Sequence, residues 1–226
     1  MPAPTFVSYT AVSVWTNNTT PKTVNVAVQT GDVIVVGGGC EAADIDIGPP
    51  SDGVNTYTAR QTVDSNTASQ SIAVIWTATA ATSTTLTISV ARGAAGKQFG
   101  FGVWVWRNAT IGTSASNGPT GGTSGAPSQA ITTTAANSAL CLVSTDWNAA
   151  DGTSRTWRDV NGAHVEDSYE RNSASYTIYA GHHVDAAGAG SKTVGLSAPA
   201  GQSYSIATIE ILGPVLPDVT VARFAQ

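Results

Sequence analysis

The sequence predicts an all-β protein, a jelly-roll-like β-sandwich built from two pseudo-repeated halves, on three observations. Short runs rich in Val, Ile, Thr, Trp and Tyr recur along the 226 residues, separated by clusters of Gly, Asn, Asp, Ser and Pro, the pattern of strands and turns. No apolar stripe at i, i+3, i+4, i+7 is sustained, and no capping box leads into one. The second half also repeats the order of motifs in the first, at an offset of roughly 105 residues, 129 against 24.

In chain order the runs place strands at 5–15, 23–28, 32–38, 54–62, 71–79, 84–91 and 98–107. They continue at 129–134, 138–145, 155–160, 164–169, 175–183, 192–197 and 203–212. "VNVAVQTGDVIVVGG" (24–38) supplies a strand, a Gly-Asp turn and a second strand, and "QAITTTAANSALCLVST" (129–145) matches it. "NTYTAR" (55–60) matches "SRTWRD" (154–159), and "TSTTLTISV" (82–90) matches "AGSKTVGLS" (189–197). Each half closes on a Gly-led strand, "GKQFGFGVWVWRN" (96–108) and "GQSYSIATIEILG" (201–213).

Those closing strands are apolar or small on both faces, as expected of strands covered on both sides. In the first, Phe99, Phe101, Val103 and Val105 alternate with Gly100, Gly102, Trp104 and Trp106, and the glycines leave room for large neighbours. In the second, Glu210 predicts a partly wet face. Halves of about 1–110 and 129–213 are joined by a connector at 111–128, dense in Gly, Ser, Thr and Pro. The expectation is one sandwich over 1–213, two tandem sandwiches being the alternative. A C-terminal arm at 214–226 presents Val219, Val221 and Phe224 for strand addition to a neighbour.

Composition narrows the function. Charged residues make up 11% of the chain, and the net charge is −5. The few basic residues are scattered, so no polyanion footprint exists and nucleic acid is excluded. No window approaches 18 apolar residues, and the start lacks a basic n-region and an apolar h-region, so neither a membrane nor secretion is expected. Cys40 and Cys141 read as buried thiols, a bridge being the alternative. Asn17, Asn18 and Asn108 head glycosylation-type triplets that arise by chance in a Thr- and Asn-rich chain.

No nucleophile elbow is present, and His164, His182 and His183 lie in strand runs without a distinctive partner. Adjacent His182 and His183 point to opposite faces. Glu41, Asp44 and Asp46 make a weak Ca²⁺ candidate and, with Asp52 beyond, a weaker glycosidase pair. The interleaved Ile45 and Ile47 instead suggest a half-buried strand with one solvated face. Trp147 and Trp157, with Asp146 and Asn148, form a candidate sugar platform, because a sugar ring offers apolar area to an indole. Trp15, Trp76, Trp104 and Trp106 sit in apolar runs and belong to the core. No catalytic residue and no cofactor is expected.

"TGDVIVVGG", then "GVWVWRNATIGTSASN", a Gly/Ser/Thr connector and "YSIATIEIL" together resemble the minor tail and head-decoration β-sandwich proteins of tailed bacteriophages, especially actinobacterial phages. The resemblance spans residues 22 to 213, and "RNATIG" departs from it by lacking a Pro after the strand. It implies a non-enzymatic virion protein, made in the host cytoplasm and contacting capsid or tail proteins. A symmetric homo-oligomer, a trimer being one form, is also expected, and the alternative is an adhesin on a tail or head fibre that binds a host surface glycan through Trp147, Trp157 and the nearby Asp and Asn.

Overall fold

The computed structural model describes residues 2–41, 47–64, 71–93, 97–118 and 125–214, and the proposed arm residues Val219, Val221 and Phe224 lie outside them. The described residues form strands, turns and loops and no helix. The first half holds β1 (Thr5–Ala11), β2 (Lys22–Val28), β3 (Val33–Cys40), β4 (Thr58–Asp64), β5 (Ile72–Thr79), β6 (Thr84–Val90) and β7 (Phe99–Arg107). The second holds β8 (Thr110–Asn117), β9 (Ser128–Thr133), β10 (Ala139–Asp146), β11 (Thr156–Trp157), β12 (His164–Asn172), β13 (Tyr176–His183), β14 (Gly190–Ala198) and β15 (Tyr204–Leu212).

All strand pairs are antiparallel. The first half folds into a five-stranded sheet, β1-β7-β3-β5-β4, and a two-stranded one, β2-β6. The second folds into β8-β15-β10-β13-β12 and β9-β14-β11. The two large sheets therefore run in the same order, and among the described residues no strand ladder joins one half to the other.

The halves meet face to face through the large sheets, giving four layers. On β7 the Trp104 and Trp106 face looks toward the second half, where the Trp106 indole N–H donates to Cys141 Sγ at 3.2 Å. Phe99, Phe101, Val103 and Val105 look the other way and pack with Ile34, Val36, Val26 and Ile88 over the small sheet. On the partner sheet, Cys141, Val143, Ile178, Ala180, Ala207 and Ile209 join the same core as the first half, while Leu140, Leu142, Ile206 and Val194 build a separate one beneath β14.

Glycines set how closely the large sheets approach. A Cβ on Gly39 would lie 2.3 Å from Thr145 Cγ2 and 2.6 Å from Ile178 Cδ1, and one on Gly37 would lie 2.6 Å from Trp104. Gly100 receives Trp15 in the same way, and Gly102 receives Tyr9. The "GGG" at 37–39 and the "FGFG" at 99–102 are thus recesses for side chains.

Several expectations are corrected. The first seven residues of the predicted connector, 111–117, belong to β8, which pairs with β15 and holds the place in its sheet that β1 holds in the other. Its small polar side chains are half-buried, and an edge strand held by a ladder on one side needs no apolar alternation. The counterpart of β4 in strand order is β12, so the match of 55–60 with 154–159 fails: β11 is two residues long and joins the small sheet. The strand predicted at 5–15 ends at Ala11, and Trp15 turns in over β7. Glu210 does not mark a wet face, since β15 is buried over the same eight positions as β7.

Candidate functional site

The end of β10 and the loop after it carry three of the four candidate sugar-binding residues. Asp146 is fully buried, and its carboxylate accepts backbone N–H groups of Asn148 at 3.0 Å, Ser203 at 2.7 Å and Ala150 at 2.8 Å. Burial pushes this carboxyl up to about 6, with the three amides pulling the other way. Asp146 therefore organises the turn and does not face a ligand. Trp147 is half-buried with Lys97 Nζ 5.8 Å above its ring, and Asn148 donates to Gly201 O.

Trp157 lies elsewhere, on β11. Its indole stacks on His164 at 4.3 Å, meets Tyr179 edge-on at 6.2 Å and donates its N–H to Glu166. Glu166 also receives the Arg155 guanidinium, which holds its carboxyl below the usual range, and Arg155 covers the Tyr169 ring at 4.0 Å. Among the described residues no ring contact links Trp147 to Trp157.

The histidines divide as strand alternation requires. His182 faces the other half, stacked on Phe6 at 4.3 Å, with Nδ1 2.8 Å from Asp167 Oδ2. The same oxygen accepts the Trp104 indole N–H at 2.6 Å. His182 thus has a distinctive partner, one that sequence spacing did not reveal because Asp167 is brought beside it by a bulge in the β12–β13 ladder. No hydroxyl or thiol nucleophile is hydrogen-bonded to this pair among the described residues. His183 faces outward within the second half, opposite His164 in register.

The acidic cluster is only partly visible. Asp44 and Asp46 lie outside the described residues, and Glu41 pairs with Lys97 at 3.8 Å. Asp52 accepts the amides of Val54 and Asn55, the Asn55 side chain and the Tyr57 hydroxyl, which makes it a turn residue. Among the described residues no three His, Cys, Asp or Glu side chains are grouped to hold a metal ion. Neither Cys40 nor Cys141 is in a disulfide, and burial pushes the Cys141 thiol well up.

Of two further charged groups, the sequence placed Glu210 on a wet face and gave Lys22 no role. Glu210, fully buried, accepts the amides of Thr134 at 2.7 Å and Thr113 at 3.2 Å and the Thr134 hydroxyl. Burial alone would raise its carboxyl, but these donors more than offset that and hold it below the usual range. Lys22 donates to Val14 O at 2.6 Å and Phe99 O at 2.5 Å beside a surface cleft of about 330 Å³, and burial pushes its amine down to about 8. In each case the signal was a charged residue inside an apolar alternation. No family model, no curated protein and no solved structure matches this chain.

Proposed function

We propose that the chain is a non-enzymatic structural protein of a tailed-phage virion, decorating or cementing the head or forming part of the tail through protein–protein contacts. The observation that supports this reading is the disposition of its sheet edges. Tyr9 bonds Ser168, so β1 and β12 share one flank, and Gln61 bonds Ser114 and Ser116, so β4 and β8 share the other. All four are outermost strands of the large sheets. Stacked edges on both flanks offer main-chain donors and acceptors to neighbouring subunits or to further copies of the chain. The buried polar groups described above serve turns and the contact between halves, which also favours a structural role.

The strand order supports a jelly-roll variant in each half. β1, β2 and β3 alternate between large and small sheet, β5, β6 and β7 do so again, and the first strand pairs with the last. The partners proposed are other virion proteins, with synthesis in the host cytoplasm and a closed oligomer, such as a trimer, in the particle. A glycan platform is the weaker reading, because Asp146 is buried and one face of Trp157 is stacked on His164.

Immunogold electron microscopy of intact particles, with antibody to the recombinant chain, tests the proposal. Gold over the head supports decoration, gold on the tail supports a tail component, and unlabelled particles with an accessible epitope overturn it. Glycan binding lost in Trp147→Ala with the fold intact would restore the adhesin reading.

A further inference from the structure

We propose that His164 and His183 form an acid-sensitive latch, which holds the start of β12 and the Trp157 turn on the second half while both rings are neutral and releases them when either takes up a proton. The two residues are direct partners in the β12–β13 ladder, His164 the first residue of β12 and His183 the last of β13, so they close the end of that ladder. Their ring centroids are 4.9 Å apart at 57°. Trp157 stacks on His164 at 4.3 Å, and the His164 ring lies over Gly181, where a Cβ would come 2.8 Å from its Cε1. Through these contacts the histidines tie β11, β12 and β13 together.

The setting favours neutral rings. His183 is fully buried, His164 is half-buried, and none of their four ring nitrogens has a hydrogen-bond partner. For a neutral imidazole this leaves one donor and one acceptor unmet; for an imidazolium it leaves a whole charge buried without an acceptor, a far larger cost. A second proton would set two like charges about 5 Å apart. His182 differs, because its Nδ1 lies 2.8 Å from Asp167 Oδ2, a carboxylate that balances a charge on that ring.

The charged and titratable groups around the pair do not supply the missing acceptor. Asp159, ahead of β12, accepts the amides of Ala163 and His164. On β12, Glu166 is held by Arg155 and Trp157, and Asp167 by Trp104 and His182. Arg158 donates to Leu196 O, and Asp185 accepts from the Asn161 side chain and the Ala187 amide. On β10 the register partner of His183 is the apolar Leu140, and Glu210 beyond it on β15 bonds Thr113 and Thr134. Tyr179, further along β13, has its hydroxyl pushed up by burial and stays neutral.

Burial is the largest influence on both histidines and holds them below the ordinary range, His183 at about 4. Asp159, Asp167 and Glu166 oppose it at His164, while the neighbouring His164 adds to it at His183. The open, solvated form takes up protons near the ordinary histidine value of about 6.5, so the latch is closed above that value and loses hold as pH falls toward about 4. For His183 alone these values make the opening equilibrium about thirtyfold larger at about pH 5 than at about pH 7.5. β12 is an outermost strand, so on the structural-protein reading acid would also withdraw an edge from a neighbouring subunit; the latch itself does not depend on that reading.

The test is amide hydrogen exchange of the isolated chain at about pH 7.5 and about pH 5, corrected for the intrinsic pH dependence of exchange, which reads local opening segment by segment. Opening of residues 157–166 and 182–184 should rise about thirtyfold, while the β3–β7 ladder, in a half without histidine, should change by less than about threefold. His183→Leu, with its fold checked by circular dichroism, should cut the rise by at least about fivefold. If His183→Leu fails to fold, NMR titration of the wild-type imidazoles decides, with His183 expected to stay neutral in the folded chain down to about pH 5. Equal opening at both pH values, an equal rise in both halves, a rise undiminished in His183→Leu, or a folded His183 that titrates near the ordinary value would overturn the latch.

Discussion

Replacing Gly39 by Ala tests the back-to-back packing of the halves. In an ordinary strand, Gly→Ala stabilises by about 0.4–1 kcal/mol, because the unfolded chain loses freedom. Here the added methyl would sit 2.3 Å from Thr145 Cγ2 and 2.6 Å from Ile178 Cδ1, both on the facing half. Carbon atoms rest at about 3.5–4.0 Å, so the large sheets must part locally by about 1 Å or the two side chains must leave their rotamers. Overpacking of this kind costs about 1–3 kcal/mol, which leaves a net loss of roughly 1–2 kcal/mol. In urea, with an m-value of about 2 kcal/mol/M, the midpoint should fall by roughly 0.5–1 M. Gly188→Ala is the control, since nothing lies within 4 Å of a Cβ there. If Gly39→Ala matched that control, the halves would not pack through β3, β10 and β13, and the four-layer description would fail.

Three further outcomes follow from the same structure. Trp104→Phe removes the indole N–H from buried Asp167 and should cost about 1.5–3 kcal/mol, with a double-mutant cycle against Asp167→Asn showing coupling energy; additivity would refute the bond. Glu210 is held below the usual carboxylate range in the fold. The unfolded chain therefore takes up its proton first as pH falls, so stability from this group is present above the ordinary Glu range and is lost as pH drops through the lower folded value. Glu210→Gln should flatten that part of the stability-against-pH curve, and an unchanged slope would count against the role given to Glu210. Cys40 and Cys141, both buried, should react with a thiol reagent only once denaturant is added; rapid native labelling of either would contradict their burial.

The all-β class was legible because strands covered on both sides are nearly continuous apolar runs, as in β3 and β7. The pairing of 24–38 with 129–145 and of the two closing strands was legible for the same reason, since core strands carry their burial in their residues. Edge strands do not. β8 is written in Gly, Ser and Thr, and a composition that allows a linker equally allows a strand whose ladder is supplied by a neighbour. Glu210 looked like a solvated face because a carboxylate is normally left in water, and only the fold brings Thr113 and Thr134 close enough to replace that water.

The candidate sugar residues show the same division. Trp147 and Asp146 read as an exposed loop because a turn closed by carboxylate-to-amide bonds uses the polar residues that an open loop would. The sequence by itself determined the secondary-structure class and the core strands, both of which follow from local composition and alternation. The tertiary structure alone decided which side chains meet across the sheets: His164 with His183, His182 with Asp167, and the glycines of β3 with the facing half. These pairings depend on register, bulges and layer spacing, which long-range contacts set and neighbouring residues do not encode.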